Sequence, residues 1–185
     1  KIADKLKKDL VFEGKSDVIL ADTPVKLMQK LHQIYSGTVI LESGNRLVFD
    51  NTKSEFIKEH FAGKRIAVFY KFQAELESLL SVFQEDMTTD LGKFHAGECN
   101  NFAIQIVTGR EGISLMQADY LVYYNIDFSA TSYWQSRDRL TTMDRLENNV
   151  YWVFAEGGIE EKIYKVVQGK KPYTVSHFKK DLLSL

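Results

Sequence analysis

Cysteine occurs once, at Cys99, so the chain can form neither an internal disulfide nor a Cys-rich zinc site. That usage fits a reducing, cytosolic compartment. No apolar run approaches the roughly 20 residues needed to cross a bilayer. The amino-terminal KIADKLKKDL is charged throughout and has no apolar signal core. Neither sign of charge predominates: 24 Lys and Arg stand against 25 Asp and Glu, a net charge of -1. A generally cationic nucleic-acid binder is thereby excluded, whereas a local basic groove is not. The histidines His32, His60, His95 and His177 are scattered, with no second His or Cys at ligand spacing, so no metal centre is expected. GxSxG is absent, and with it a serine-nucleophile elbow. GxGxxG and the Walker A pattern are absent too, which disfavours a Rossmann-type small-molecule enzyme and a self-contained ATP cradle.

What is present suffices for a folded domain. A chain of 185 residues, 44% of them hydrophobic, can bury a real core. It begins with Lys1 rather than Met, which leads us to expect a piece of a longer protein. Residues 1–50 read as a lead-in segment or small insertion. Ile2, Leu6 and Leu10 fall at helical spacing, and 17–21 reads as a short strand. Asp22-Thr23-Pro24 opens a helix, with Thr23 as cap and Pro24 where its missing N–H costs nothing. Gly37 stops that helix, and TVILE and RLVFD around Ser43-Gly44-Asn45 read as a hairpin.

From residue 51 the pattern becomes alternation of strand and helix. Helices are expected over 52–61, 74–83 and 158–168, and buried strands over 65–70, 104–107, 120–124 and 150–155. A short strand is expected at 87–91 and a polar loop or helical turn at 97–101. Ser176 is expected to cap a last amphipathic helix through Phe178 and Leu182. Such alternation implies a mostly parallel sheet with right-handed crossovers, whose ligands sit at the carboxyl ends of its strands. The stretch 104–145 organises the rest. A strand ends in a turn carrying Gly109 and Gly112, a second strand follows, and a polar loop opens a helix bearing Gln135, Arg137, Asp138 and Arg139. Glycines with exposed amides suit phosphate, and a guanidinium is a fixed fork suited to phosphoryl oxygens. At about 100° per residue Gln135, Arg139 and Thr142 share one face, with Tyr133, Leu140 and Met143 opposite. Taken singly, the turn and the Arg-rich face have ordinary structural readings, a tight turn and a solvated surface.

The order of these motifs resembles the second RecA-like lobe of a superfamily-two helicase or translocase. More narrowly, it resembles the Swi/Snf-related DNA-dependent ATPases in a compact form common in bacteriophages. RIAVFYKFQAEL (65–76) resembles motif four of that family, and TGREGISLMQAD (108–119) resembles motif five. NIDFSA (125–130) stands where the family has an aspartate and a WNP-like loop. QSRDRLTT (135–142) resembles motif six, and GIEEK (158–162) resembles the family's GTIEEKI. Thr142 stands at the position of the second motif-six arginine, with Arg145 and Arg137 as the replacements at hand.

The resemblance implies a RecA-like, three-layer α/β domain of the P-loop NTPase type over 51–170, preceded by the helix and hairpin of 1–50 and followed by a helix over 171–185. It implies a catalytic role for Arg139, with Arg145, as arginine finger. Gly112, Ser114, Gln135, Arg137 and Asp138 would meet ATP, and Lys71, Phe72, Thr108, Gly109 and Arg110 would touch nucleic acid, mostly through phosphate. The implied partners are DNA and an amino-terminal RecA-like lobe, which would hold most of the ATP and its Mg2+. The isolated chain is then expected to bind no cofactor and to hydrolyse no ATP. The implied setting is a bacterial or phage-infected host cytosol. The competing reading is a non-enzymatic α/β module that binds nucleic acid or docks a protein.

Overall fold

The computed structural model describes residues 1–13, 18–108, 113–138 and 149–183. Its centre is β5 (Ile66–Tyr70), whose five residues are all buried because both sheet faces are covered. It pairs in parallel with β7 (Asn101–Gln105) on one side and β8 (Tyr120–Tyr123) on the other. Outside these lie β6 (Met87–Thr88) and β9 (Val150–Trp152), giving the order β6-β7-β5-β8-β9 with every pairing parallel. This is the three-layer, RecA-like α/β architecture expected from the alternation.

Side-chain alternation divides the core in two. Phe69, Tyr123 and Ile104 point to one face, Val68, Val122 and Ala103 to the other. On the second face pack α3 (Thr52–His60) and α4 (Gln73–Phe83), through Ile57, Leu79 and Phe83. On the first lie α5 (Leu91–Ala96), α6 (Ala130–Asp138), α7 (Glu160–Gln168) and α8 (Val175–Leu183), through Phe94, Tyr133, Ile163 and Phe178.

The first fifty residues fold onto the same core. Helix α1 (Ile2–Asp9) and α2 (Pro24–Ile34) bury Leu6, Leu27 and Leu31 in the first-face cluster. Thr23 Oγ1 accepts from Lys26 N at 3.2 Å, the cap that the sequence announces. Strands β1 (Val11–Glu13) and β2 (Val18–Leu20) form one antiparallel pair, β3 (Thr38–Ile40) and β4 (Arg46–Val48) another. Arg46 Nε lies 2.8 Å from Glu77 of α4, so this segment touches elements on both faces of the sheet.

Five expectations are corrected. The strand expected at 104–107 lies at Asn101–Gln105, because its register is set by β5, with Ile66 opposite Asn101. Helix α5 precedes it where only a turn near 97–101 was expected. Asp90 caps α5 by accepting from Gly92 N at 2.7 Å, and Gly97 ends it at φ 76°. The strand expected to be buried over 150–155 is three residues long, lies at the sheet edge and leaves Tyr151 40% exposed. Strand β1 was not expected, since Val11–Glu13 is paired only by the fold. Helix α8 begins at Val175, one residue before Ser176, so Ser176 lies inside it rather than capping it.

Candidate functional site

The carboxyl end of β5 gives way to Lys71 and Phe72 and then to α4. Glu75, in the first turn of α4, turns back on them. Its Oε2 accepts from the amides of Lys71 at 2.8 Å and Phe72 at 3.0 Å. This is the reaching-back half of a capping box. Glu75 Oε1 accepts from Asn125 Nδ2. Asn125 follows β8 and is fully buried, and its Oδ1 accepts from Ile126 N at 2.8 Å and meets His32 Nε2 from α2. A carboxylate only accepts, so the Asn125 amide nitrogen faces Glu75 and its oxygen faces the ring. His32 Nε2 therefore carries the proton. Burial first, and then the Lys71 charge, hold the His32 pKa well below its ordinary range, so the ring is neutral. Burial pushes the Glu75 carboxyl up, against the three N–H donors that favour its charged form.

The Lys71 side chain is equally constrained. Its Nζ lies 2.8 Å from Asp127 Oδ1, 4.8 Å from the centre of the Phe128 ring and 5.6 Å from that of Phe72. His32 packs between the same two rings, 5.3 Å from Phe72 and 4.7 Å from Phe128. Gln105 Nε2, at the end of β7, donates to the Lys71 carbonyl at 2.9 Å. A second anchor lies beside this network. Lys53 Nζ of α3 donates to the Tyr124 carbonyl at 3.1 Å and to Glu160 Oε1 of α7 at 2.9 Å. Helix α2 thus lies over the carboxyl ends of β5 and β8. Tyr124 Oη donates to the Ser36 carbonyl at 3.2 Å just past the end of α2, and burial pushes its pKa up to about 12.

The sequence-predicted residues that the structure describes fall into three groups. Lys71 and Phe72 are half-buried at the rim, with Thr108 exposed beyond the neighbouring β7. Gln135 is exposed on α6, and Arg137 and Asp138 share that helix, with side chains outside the description. Ser114 is exposed on the connection running back from β7 to β8, and its carbonyl accepts from His95 Nε2 at 3.0 Å near the end of α5. Gly109, Arg110, Gly112, Arg139 and Arg145 lie outside the described residues, as do Leu140, Thr142 and Met143. A cavity of about 480 Å³ opens beside Lys53, between Ser36, Gly37, Phe56 and Phe154. No predicted site residue lines it.

The family model of the helicase conserved C-terminal domain matches residues 26–142, more than half of the chain. The chain belongs to the helicase C-terminal domain family. Two solved structures are similar to it. One is the C-terminal part of the Fun30 ATPase domain, with 20% identity and a TM-score of 0.48 over 68% of this chain and 44% of that one. The other is the Hef helicase domain of Pyrococcus furiosus, with 22% identity and a TM-score of 0.47 over 67% of this chain and 28% of that one. The chain thus spans less than half the length of either. No curated protein sequence matches it significantly.

The match begins at Lys26, inside α2, so the helix carrying His32 falls within this helicase C-terminal domain. Sequence reading gave no role to His32, Glu75, Asn125 or Asp127, although NIDFSA (125–130) marked the last two as part of a family stretch. Glu75 left a local signal too, an acidic residue in the first turn of a helix that follows a buried strand. Their partners meet across 50 to 93 residues of chain, a separation at which spacing carries no information.

Proposed function

We propose that this domain is the second motor lobe of an ATP-dependent DNA translocase or helicase of the Swi/Snf-related type, in a bacterial or phage setting. The observation that carries the reading is an adjacency. Strands β7, β5 and β8 are neighbours, so Thr108, Lys71-Phe72 and the helix bearing Gln135 leave one rim of one sheet. In family terms these are the positions of motifs five, four and six. In this reading Lys71, Phe72 and Thr108, with Gly109 and Arg110, follow one nucleic-acid strand through its phosphates. Gln135 and Arg139, helped by Gly112, Ser114, Arg137 and Asp138, face the γ-phosphoryl group of ATP. Arg139 stabilises the charge that develops there, with Arg145 replacing the arginine missing at position 142.

ATP is the substrate in this reading, and its magnesium ion belongs to the amino-terminal lobe. Among the described residues no group of three His, Cys, Asp or Glu side chains converges as a metal site. Arg139→Ala in the complete protein is expected to lower DNA-stimulated ATP turnover by about 10³-fold or more and to leave DNA affinity within about twofold. Normal turnover in that variant would sink the assignment. Thr142 favours the second reading, a docking or nucleic-acid-binding module without chemistry. DNA binding by the complete protein with no ATP turnover would decide for it. The 185-residue chain alone is expected to show no DNA-stimulated ATPase.

A further inference from the structure

We infer that His32 and Asn125 are positioning residues that hold Lys71 and Phe72, through Glu75, in the pose that meets a nucleic-acid strand. The inference rests on the reading of Lys71 and Phe72 as nucleic-acid contacts. It starts from a concentration of buried polar groups past the carboxyl ends of β5 and β8. His32, Glu75 and Asn125 are each fully buried, and each makes a hydrogen bond to another of them. Burying such groups is unfavourable unless they are satisfied, and an apolar core could replace them. The contacts converge on the two residues after β5. The amides of Lys71 and Phe72 both end on Glu75, the Lys71 carbonyl on Gln105, and the Phe72 ring on His32.

The direction of each bond matters. Glu75 is held in one rotamer because Asn125 Nδ2 occupies Oε1 while the two amides occupy Oε2. Asn125 is held because Ile126 N and His32 Nε2 both donate to Oδ1. Without the His32 proton, Asn125 loses one of two donors, and the Glu75 carboxylate loses the restraint that keeps it under the rim. The backbone at Lys71 and Phe72 would then have to be ordered when the strand binds, while the Lys71 side chain keeps Asp127. The expected loss is about 2- to 10-fold in affinity, part of the cost of ordering the backbone of one residue.

The test is a set of variants of the complete protein, titrated by fluorescence anisotropy against a fluorescein-labelled DNA duplex with a single-stranded tail. His32→Met, of similar bulk and without a donor, is expected to weaken binding about 2- to 10-fold. His32→Gln keeps an N–H near the position of Nε2 and is expected to bind within about twofold of the wild type. In the Lys71→Ala/Phe72→Ala background His32→Met is expected to add no further loss, since its effect is transmitted through those residues. Additive losses, an unchanged His32→Met, or a Gln variant as weak as Met would each overturn the inference. Thermal midpoints are recorded alongside. Should His32→Met not fold, His32→Leu, which likewise has no donor, takes its place in the same comparison. If Lys71→Ala/Phe72→Ala itself binds DNA like the wild type, the assignment of those contacts fails. If that variant is weakened and the His32 variants are not, only the positioning role fails.

Discussion

The ion pair of Lys53 and Glu160 offers a test of the forces that hold the carboxyl rim together. Lys53 comes from α3 and Glu160 from the first turn of α7, and Lys53 also donates to the Tyr124 carbonyl at the end of β8. The Glu160 side chain is fully buried and that of Lys53 is 9% exposed. Removing one partner leaves an uncompensated charge in a medium that solvates it poorly, at a cost of about 3–5 kcal/mol. Native domains are stable by only about 5–15 kcal/mol. At about 2–4 °C per kcal/mol for a chain of this size, Lys53→Met or Glu160→Leu is expected to lower the thermal midpoint by roughly 6–20 °C.

The double variant separates pairing from burial. Glu160 Oε2 has no hydrogen-bond partner among the described residues, so the carboxylate is only half satisfied. Lys53→Met/Glu160→Leu removes both charges together and leaves only the Tyr124 carbonyl short of a donor, worth about 1 kcal/mol. It is expected to fall within about 2 kcal/mol of the wild type, above either single variant. Urea unfolding followed by circular dichroism measures all four corners of the cycle. Single variants within about 1 kcal/mol of the wild type, or losses that simply add, would refute the reasoning and class this pair with surface ion pairs.

Two further outcomes are expected. A Cβ at Gly37 would lie 2.3 Å from the Asp50 carbonyl oxygen at φ +82°, whereas one at Gly44, at φ +86°, meets nothing within 4 Å. Gly37→Ala should therefore cost about 2 kcal/mol or more beyond the roughly 1 kcal/mol of conformational strain shown by Gly44→Ala, and equal urea midpoints would contradict this. The pH profile should carry the mark of His32, whose folded pKa lies below its ordinary 6.5. The unfolded chain then takes up a proton first, so the stability His32 contributes is present above 6.5 and is lost as pH falls from there toward the folded value. The slope is at most about 1.4 kcal/mol per pH unit. Glu75, raised above 4.5, acts in the opposite sense between 4.5 and its folded value, because there the native state is protonated first. Subtracting the profile of His32→Gln from that of the wild type isolates the ring, and parallel profiles would show that His32 is not the group responsible.

The parts legible in the sequence are those whose cause is local. Ile66–Tyr70 is apolar without interruption because both faces of β5 are covered, and Thr23-Pro24 signals the start of α2. The hairpin around Gly44 is equally local. What was misread depends on partners distant in the chain. The register of β7 is set by β5, and β9 is short, with a neighbour on one side only among the described residues. Helix α5 is hidden by Gly92 in its first turn and depends on the Asp90 cap. The links that join the polar network are non-local, with His32 93 residues from Asn125 and Asn125 50 from Glu75.

That network changes what the carboxyl ends of these strands can do. The general expectation for an open parallel sheet is that ligands gather along the whole rim. Here α2 closes the middle of it: Tyr124, Asn125 and Ile126 are fully buried, and the polar atoms of Asn125 are taken by His32, Glu75 and its own neighbour. A ligand at this rim is left the exposed Thr108 on one side, the exposed Gln135 of α6 on the other, and the half-buried Lys71 between them. In the proposed reading Lys71 must exchange Asp127 for a phosphate, or share its charge between the two, which makes its contact sensitive to salt and to the position of Asp127. A lysine so restrained loses less conformational freedom on binding than a free surface lysine does, and it gives up an ion pair in exchange. In that reading the rim is suited to touching a backbone and letting go of it, and less suited to holding it tightly.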